Sequence, residues 1–436
     1  MLDQLFFLSL AIPLGLMSGM LMGIPGSIIL IISFPMLLIL DPNYAIAFYV
    51  IISITSQFTN SVMALYAGIP GDTTALPIVA ERERLNIYYS IKENLQRTAV
   101  SSVIGVIVGI IYLLLFFQIL APFTNYLIRT DFVFAILCLL VLICFFWPGN
   151  KFLVNFSLVI LGGIIGMVGY HHSLKLNFLT FNNPMLYGGL PFIAGFIGMY
   201  AVPNVLSLSV FYNNCEIKSR KVSKNNEYKS SSKKTVFFSI IGALTGVIGL
   251  IPLVGSSISS SFVYGISKRF TNSPLKLAVL SESSNSSAFV IVLAPLLFFG
   301  IAIVPSEMIL LTSIQMNGWD ITKVTNDTFI LLVSAAFITL VISYFFSTTF
   351  AKFFVELLKK YLKYAIPLLI SILVFNVYFV GSLTKETEIY IITFILSVLS
   401  GIMLKKMNVS SLPLIIIWGI SESIIKSTVT INSLYM

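Results

Sequence analysis

The chain has 436 residues, of which 57% are hydrophobic and only 10% charged, with a mean hydropathy of +0.98 and a formal net charge of +9. Soluble domains carry about 25% charged residues, so a water-soluble enzyme is excluded. The apolar runs are continuous over helix lengths and do not alternate, which excludes an outer-membrane barrel and leaves an all-α polytopic membrane protein.

In chain order, apolar runs at 5–22, 44–66, 98–120, 132–148, 153–170 and 185–211 predict membrane spans in the first half. Runs at 235–251, 287–304, 328–350, 364–382 and 389–404 predict them in the second. Shorter or broken segments at 27–40, 252–267, 308–316 and 409–425 are too short or too polar for simple spans, and several are expected to be re-entrant. The total is about ten to twelve transmembrane helices. Met1-Leu2-Asp3-Gln4 lacks a basic n-region, so the first apolar run reads as a retained span rather than a cleaved signal.

The positive charge is concentrated rather than spread. Lys218, Arg220, Lys221, Lys224, Lys229, Lys233 and Lys234 crowd the one long hydrophilic stretch, 212–234. In a membrane protein this marks a cytoplasmic linker and not a nucleic-acid surface. Four spans separate it from the loop 78–97 with Arg82, Arg84, Lys92 and Arg97, so both belong on one side. Lys352, Lys359, Lys360 and Lys363 read as another cytoplasmic connection, and Lys405-Lys406 as a further one. The side of the N-terminus depends on how 23–40 folds. Three cysteines (Cys138, Cys144, Cys215) and two histidines (His171, His172) support neither a disulfide framework nor a transition-metal site.

The linker divides the chain almost in half, into 1–211 and 235–436. Gly15, Gly19 and Pro25 recur 227 residues later as Gly242, Gly246 and Pro252. Two structurally related halves, the plan of an internally repeated transporter, are therefore expected. The Gly15 and Gly19 spacing itself reads as close helix packing.

Four patches interrupt the apolar pattern. Gly23-Ile24-Pro25-Gly26-Ser27 and Gly68-Ile69-Pro70-Gly71-Asp72-Thr73-Thr74 share a Gly-Ile-Pro-Gly tetrapeptide. Proline removes a donor and glycine permits positive φ, so each should break a helix. Broken backbone at membrane depth is tolerated only where protein buries it or a cavity adjoins it. There the freed N–H groups suit an anion and the freed carbonyls a cation. The third patch is Ser281-Glu282-Ser283-Ser284-Asn285-Ser286-Ser287, whose acid costs at least about 2.5 kcal/mol to insert and so implies a partner, Na⁺ or a proton. The fourth, Gly249 to Ser257, pairs with the first by the repeat; Asn60 and Ser61 are the first-half polar counterpart of the third.

These motifs resemble the large permease subunit of the tripartite tricarboxylate transporter family. The resemblance rests on the two Pro-Gly turns, on Glu282-Ser-Ser-Asn285-Ser-Ser-Ala288 before Ala294-Pro295-Leu-Leu297, and on the stretch Gly401 to Glu422 around Pro413. Departures are Ser53 to Ser61 in place of a Gly-rich segment, Ser281, Ser286 and Ser287 within the signature, and Gly300-Ile-Ala-Ile-Val-Pro305-Ser306 in place of a further Pro-Gly turn. The resemblance implies secondary uptake of a small di- or tricarboxylate across a bacterial-type inner membrane, driven by a Na⁺ or proton gradient. It also implies a small four-span membrane subunit and a periplasmic solute-binding protein as partners, with no enzymatic step, catalytic residue or cofactor. The substrate residues expected are Gly23, Pro25, Gly26, Ser27, Asn60, Ser61, Gly68, Pro70, Gly71, Thr73 and Thr74 from the first half, with Ser256, Ser257, Asn285 and Ser286 from the second. Asp72 and Glu282 are the expected ion-coupling residues, although Asp72 could instead cap the helix that follows it. The competing reading is a flippase or exporter of a lipid-linked saccharide or another polar solute, which would place cations inside the bundle; the spans hold almost none.

Overall fold

The computed structural model describes residues 2–20, 26–68, 73–120, 151–171, 176–206, 232–250, 255–300, 302–319, 326–411, 413–415 and 417–419. The first half runs α1 (Leu2–Met20), α2 (Gly26–Ile32), α3 (Phe34–Ile39), α4 (Pro42–Ala67), a 3-10 turn Thr73–Ala75, α5 (Leu76–Tyr88), α6 (Ile91–Leu120), α7 (Phe152–Gly166) and α8 (Phe192–Leu206). The second runs α9 (Ser232–Leu244, continued as 3-10 through Leu250), α10 (Gly255–Phe270), α11 (Pro274–Ile291), α12 (Leu293–Phe299), α13 (Pro305–Met316), α14 (Asn326–Phe345), α15 (Ala351–Thr384) and α16 (Thr387–Lys406). A two-stranded hairpin, Gly169–His171 with Leu176–Phe178, joins α7 to the loop before α8. Among the described residues eight helical stretches are long and apolar enough to cross a membrane, and α7 and α8 are shorter apolar helices. The chain is an all-α polytopic membrane protein.

Two helices form the centre. Ala45 to Leu65 of α4 is wholly buried, and from Pro274 to Phe298 of α11 and α12 only Lys276, Phe289 and Pro295 are partly exposed. Both open on proline, whose fixed φ suits the first helical turn. Both close on a left-handed glycine, Gly68 at φ 70° and Gly300 at φ 65°, where a side chain would be strained. Each central helix is flanked in the same way. α1 lies along α4 and α9 along α11, while α6 packs on α11 and α14 on α4.

The small-residue stripe sets how closely the flanking helices approach. A Cβ on Gly15 would meet Thr55 and Ile52, and one on Gly19 would meet Ser56 and Thr59. Gly242 faces Leu280 and Ser283 in the same fashion, and Gly246 faces Ser287. The packing expected of these glycines is what the structure contains. The successive contacts of Gly15 and Gly19 also show α1 running parallel to α4. The loop at Asp41, whose N–H donates to Gln4 Oε1 at 3.3 Å, brings the start of α4 beside the start of α1.

The apolar interior is divided in two. Leu8, Ala11, Ala45 to Ile52, Ile54, Val106, Leu113, Val290, Leu296 and Phe329 belong to one cluster, with most of α2, α3, α8 and α13. Met20, Val62 to Leu65, Ile78, Leu85, Leu95, Leu275, Ala278 and Phe346 belong to the other. Between them lies a polar layer: Ser53, Thr55, Ser56, Gln57, Thr59, Asn60 and Ser61 of α4, with Ser281 to Ser287 of α11, all buried. α4 passes from the first cluster to the second, and α11 passes from the second to the first.

Several sequence expectations are revised here. The predicted span 287–304 begins instead at Pro274: the seven polar residues sit in mid-helix, and protein rather than lipid surrounds them. The connection expected around Lys352 to Lys363 is helical, the opening of the 34-residue α15. His171 lies in the first strand of the hairpin. The span expected at 132–148 and residues 212–231 of the linker fall outside the described residues, as does His172.

Candidate functional site

Four short helices start at the polar layer instead of crossing it. α1 ends at Met20 near the level of Asn60, and α2 starts at Gly26, where a Cβ would lie 3.1 Å from Ser56 Oγ. From there α2 and α3 lead back through the first cluster to Leu40, so the segment is re-entrant. The bend between them falls at Ser33, whose Oγ donates to the Ile29 carbonyl at 2.8 Å and whose successors include Pro35. After α4, the turn Thr73–Ala75 returns to the layer, where Asn60 Nδ2 donates to Thr74 Oγ1 at 2.8 Å, and α5 leads away into the second cluster. α10 starts at Gly255; Ser259 Oγ lies 2.8 Å from Ser284 Oγ, and Ser260 Oγ donates to the Thr74 carbonyl at 3.1 Å. α13 starts at Pro305, with Ser306 Oγ 3.1 Å from Tyr49 Oη of α4. The N-termini of α2, α5 and α10 therefore meet at one buried polar layer, and that of α13 lies at its edge beside Tyr49.

At the centre of the layer the two long helices meet where Asn285 Nδ2 donates to Gln57 Oε1 at 2.5 Å. On either side the hydroxyl pairs match. Ser18 Oγ lies 3.3 Å from Ser56 Oγ, and Thr245 Oγ1 donates to Ser284 Oγ at 3.0 Å. Asn285 Oδ1, Ser286 Oγ, Ser287 Oγ and Ser53 Oγ are buried and find no hydrogen-bond partner among the described residues. Such atoms cost about 1–3 kcal/mol each when left unsatisfied, so a polar group reaching them would be stabilised there.

Glu282 is 1% exposed, and its Oε1 accepts from Ser61 Oγ of α4 and Ser102 Oγ of α6, each at 2.6 Å. No cation pairs with it among the described residues. A narrow pocket adjoins the pair, its lining half apolar (Phe58, Val62, Leu95, Ala99) and half hydroxyl (Ser61, Thr98, Ser102, Ser347). Close packing of α6 on α11 makes this geometry possible, because a Cβ on Gly105 would stand 2.5 Å from the Ser283 carbonyl.

Ser27, Asn60, Ser61, Thr74, Ser256, Asn285, Ser286 and Glu282 are thus buried at or beside the layer. Gly26 opens α2 there. Gly68 instead ends α4 on the far side, where Arg82 closes the helix by donating to the Leu65 and Tyr66 carbonyls at 2.8 Å each. Gly23, Pro25, Pro70, Gly71 and Asp72 lie outside the described residues, as do the side chains of Thr73 and Ser257. Sequence reasoning passed over Ser102, although a Ser-Ser pair inside an apolar span was its signal. It also passed over Tyr49 and Glu307, the latter an acid beside a short apolar run.

The sequence model of the Tripartite tricarboxylate transporter TctA family matches residues 5–416. The chain belongs to this family. It is a permease subunit of a transporter family, and a multi-pass membrane protein. No curated protein matches it, and no solved structure does. Within the family frame, the matched region takes in all four half-helices and both central helices.

Proposed function

We propose that this permease imports a small di- or tricarboxylate across a bacterial-type inner membrane, driven by a Na⁺ or proton gradient. It would work with a small four-span membrane subunit and a periplasmic solute-binding protein, as family membership suggests. The observation that carries the reading is the meeting of half-helix N-termini at a buried layer with unsatisfied hydroxyl and amide groups. Helix N-termini favour anions, and a substrate's carboxylates would supply acceptors for the exposed N–H and hydroxyl donors. Ser27, Thr74 and Ser256 sit at or next to three of these N-termini, with Asn60, Asn285 and Ser286 beside them. The same role is proposed for Gly23, Pro25, Gly26, Gly68, Pro70, Gly71, Thr73 and Ser257, with Asp72 as an ion ligand or a cap.

Residues 1–211 and 235–436 act in this reading as two inverted halves, with substrate where they meet. The support lies in opposite directions of travel: α1 and α4 run from the first apolar cluster to the second, and α11 runs the other way. Ser18–Ser56 and Thr245–Ser284 are matching contacts, and Gln57–Asn285 would lie on the pseudo-twofold axis. Arg82, Arg84, Lys92, Lys268 and Arg269 fall at the second-cluster end, which the positive-inside rule makes cytoplasmic. The N-terminus of α1 would then face the other side.

Glu282 is proposed as the coupling residue. Hydroxyls from α4 and α6 hold its carboxylate at the layer's edge, so binding a cation there would tie elements of both halves together. The test is uptake of labelled di- and tricarboxylates into proteoliposomes under an imposed Na⁺ or pH gradient. Gradient-driven accumulation that Glu282→Gln abolishes supports the reading; accumulation without any gradient dependence refutes it.

A further inference from the structure

A second buried acid stands on the other side of the polar layer. Glu307, in the first turn of α13, is 0% exposed. Its Oε2 accepts from the backbone N–H groups of Ile303 at 2.9 Å and Val304 at 3.4 Å. Both contacts donate to it, and the N-terminal end of α13 lies beside it. The other oxygen, Oε1, is buried with no partner among the described residues. Capping alone explains Oε2 and leaves Oε1 unexplained.

Hydroxyl oxygens stand near it. Ser306, the preceding residue, meets Tyr49 Oη at 3.1 Å. Tyr49 is within electrostatic reach of the Glu307 carboxylate and of Ser53, one turn further along α4. Ser53 Oγ is itself buried and makes no hydrogen bond of normal geometry. Among the described residues no lysine or arginine pairs with Glu307. A carboxyl oxygen and a hydroxyl, each buried without a partner and both near Tyr49, are the kind of oxygen ligands a hard cation prefers.

We propose that Glu307 Oε1 and Ser53 Oγ, with Tyr49 and Ser306 beside them, form a Na⁺ site separate from Glu282. Ser53 and Ser61 are eight positions apart on α4, about 12 Å along its axis, so the two acids address opposite edges of the layer. The inference rests on the transport reading for its role in coupling, but the site itself is tested by binding.

The experiment is equilibrium binding of ²²Na⁺ to the purified chain in detergent, without carboxylate, at fixed pH. Glu307→Gln keeps an acceptor for the Ile303 and Val304 N–H groups and removes the charge. It is expected to stay monodisperse and to bind one Na⁺ fewer than wild type. Ser53→Ala should retain the site with about tenfold weaker affinity, as expected from losing about 1.4 kcal/mol of ligation. Glu282→Gln serves as the independent arm: whatever it does to the proposed coupling site, the Glu307-dependent ion should remain. Na⁺ binding in Glu307→Gln equal to wild type overturns the proposal, as does a loss of proton uptake in place of Na⁺. If Glu307→Gln does not fold, Ser53→Ala decides: unchanged Na⁺ affinity there overturns the site.

Discussion

Adding one methyl group at Gly19 tests the packing that builds the layer. A Cβ there would stand 2.1 Å from the Ser56 carbonyl oxygen, 2.3 Å from Thr59 Oγ1 and 2.6 Å from the Asn60 nitrogen. Comfortable contact needs about 3.5 Å, so α1 must retreat from α4 by roughly 1 Å or more. α4 cannot give way, because it is enclosed on every side. Overpacking of this kind costs about 1–3 kcal/mol, against which the better helix propensity of alanine returns at most about 1 kcal/mol. Gly246→Ala should behave alike, its Cβ falling 2.4 Å from Ser287 Oγ and 2.5 Å from Ser287 Cβ. Gly265→Ala in α10 is the control: nothing lies within 4 Å of its Cβ, so the propensity gain stands alone. Thermal unfolding of the three variants in one detergent is the assay. Gly19→Ala and Gly246→Ala should unfold a few degrees below wild type and Gly265→Ala at or slightly above it. If all three unfold at or above the wild-type temperature, the close approach of α1 to α4 and of α9 to α11 is not as described.

Arg82→Ala should cost about 1.5–3 kcal/mol for each of the two carbonyl bonds it loses at the end of α4, read as a lower unfolding temperature; an unchanged temperature would mean Leu65 and Tyr66 find other donors. Glu81 is buried, pairs with Arg84 at 2.7 Å and accepts from Tyr264 Oη at 2.8 Å, so it holds α5 to α10. Tyr264→Phe should therefore raise the reactivity of a cysteine placed at Ser260, and equal labelling rates would show that the contact holds nothing closed. Asn285→Ala frees Gln57 Oε1 at the centre of the layer and should reduce carboxylate uptake more than Asn94→Ala, which lies toward the basic end; equal losses would remove the Asn285 pair from the site.

Much of this arrangement can be read in the sequence, for identifiable reasons. Gly15, Gly19, Gly242 and Gly246 keep their spacing because helix packing is periodic, and the two Gly-Ile-Pro-Gly tetrapeptides fall where α1 and α4 have ended, proline and glycine being unfavourable in a helix interior. The buried acid at Glu282 stood out because intramembrane charge is rare. What stayed hidden depends on which side of a helix meets protein. Hydropathy placed the start of a span at 287 because Ser281 to Ser287 look unfit for lipid, yet α11 never meets lipid there. Ser102 and Ser61 are ordinary small polar residues until the fold brings them to Glu282 from two other helices. Glu307 went unremarked because its helix is too short to suggest membrane depth, and its burial comes wholly from tertiary packing. The Gln57–Asn285 contact joins residues 228 positions apart, beyond the reach of local pattern.

The central claim is that carboxylate and cation meet at this layer with Glu282 as their link. Thermal unfolding of the purified chain against di- and tricarboxylates, with and without Na⁺ and in Glu282→Gln, tests it most directly. A ligand at 100 times its Kd adds about 2.7 kcal/mol to the native state. The account predicts a carboxylate-dependent rise in unfolding temperature that needs the coupling cation and is lost in Glu282→Gln. A rise of equal size in that variant, or none with any carboxylate under either condition, would contradict it.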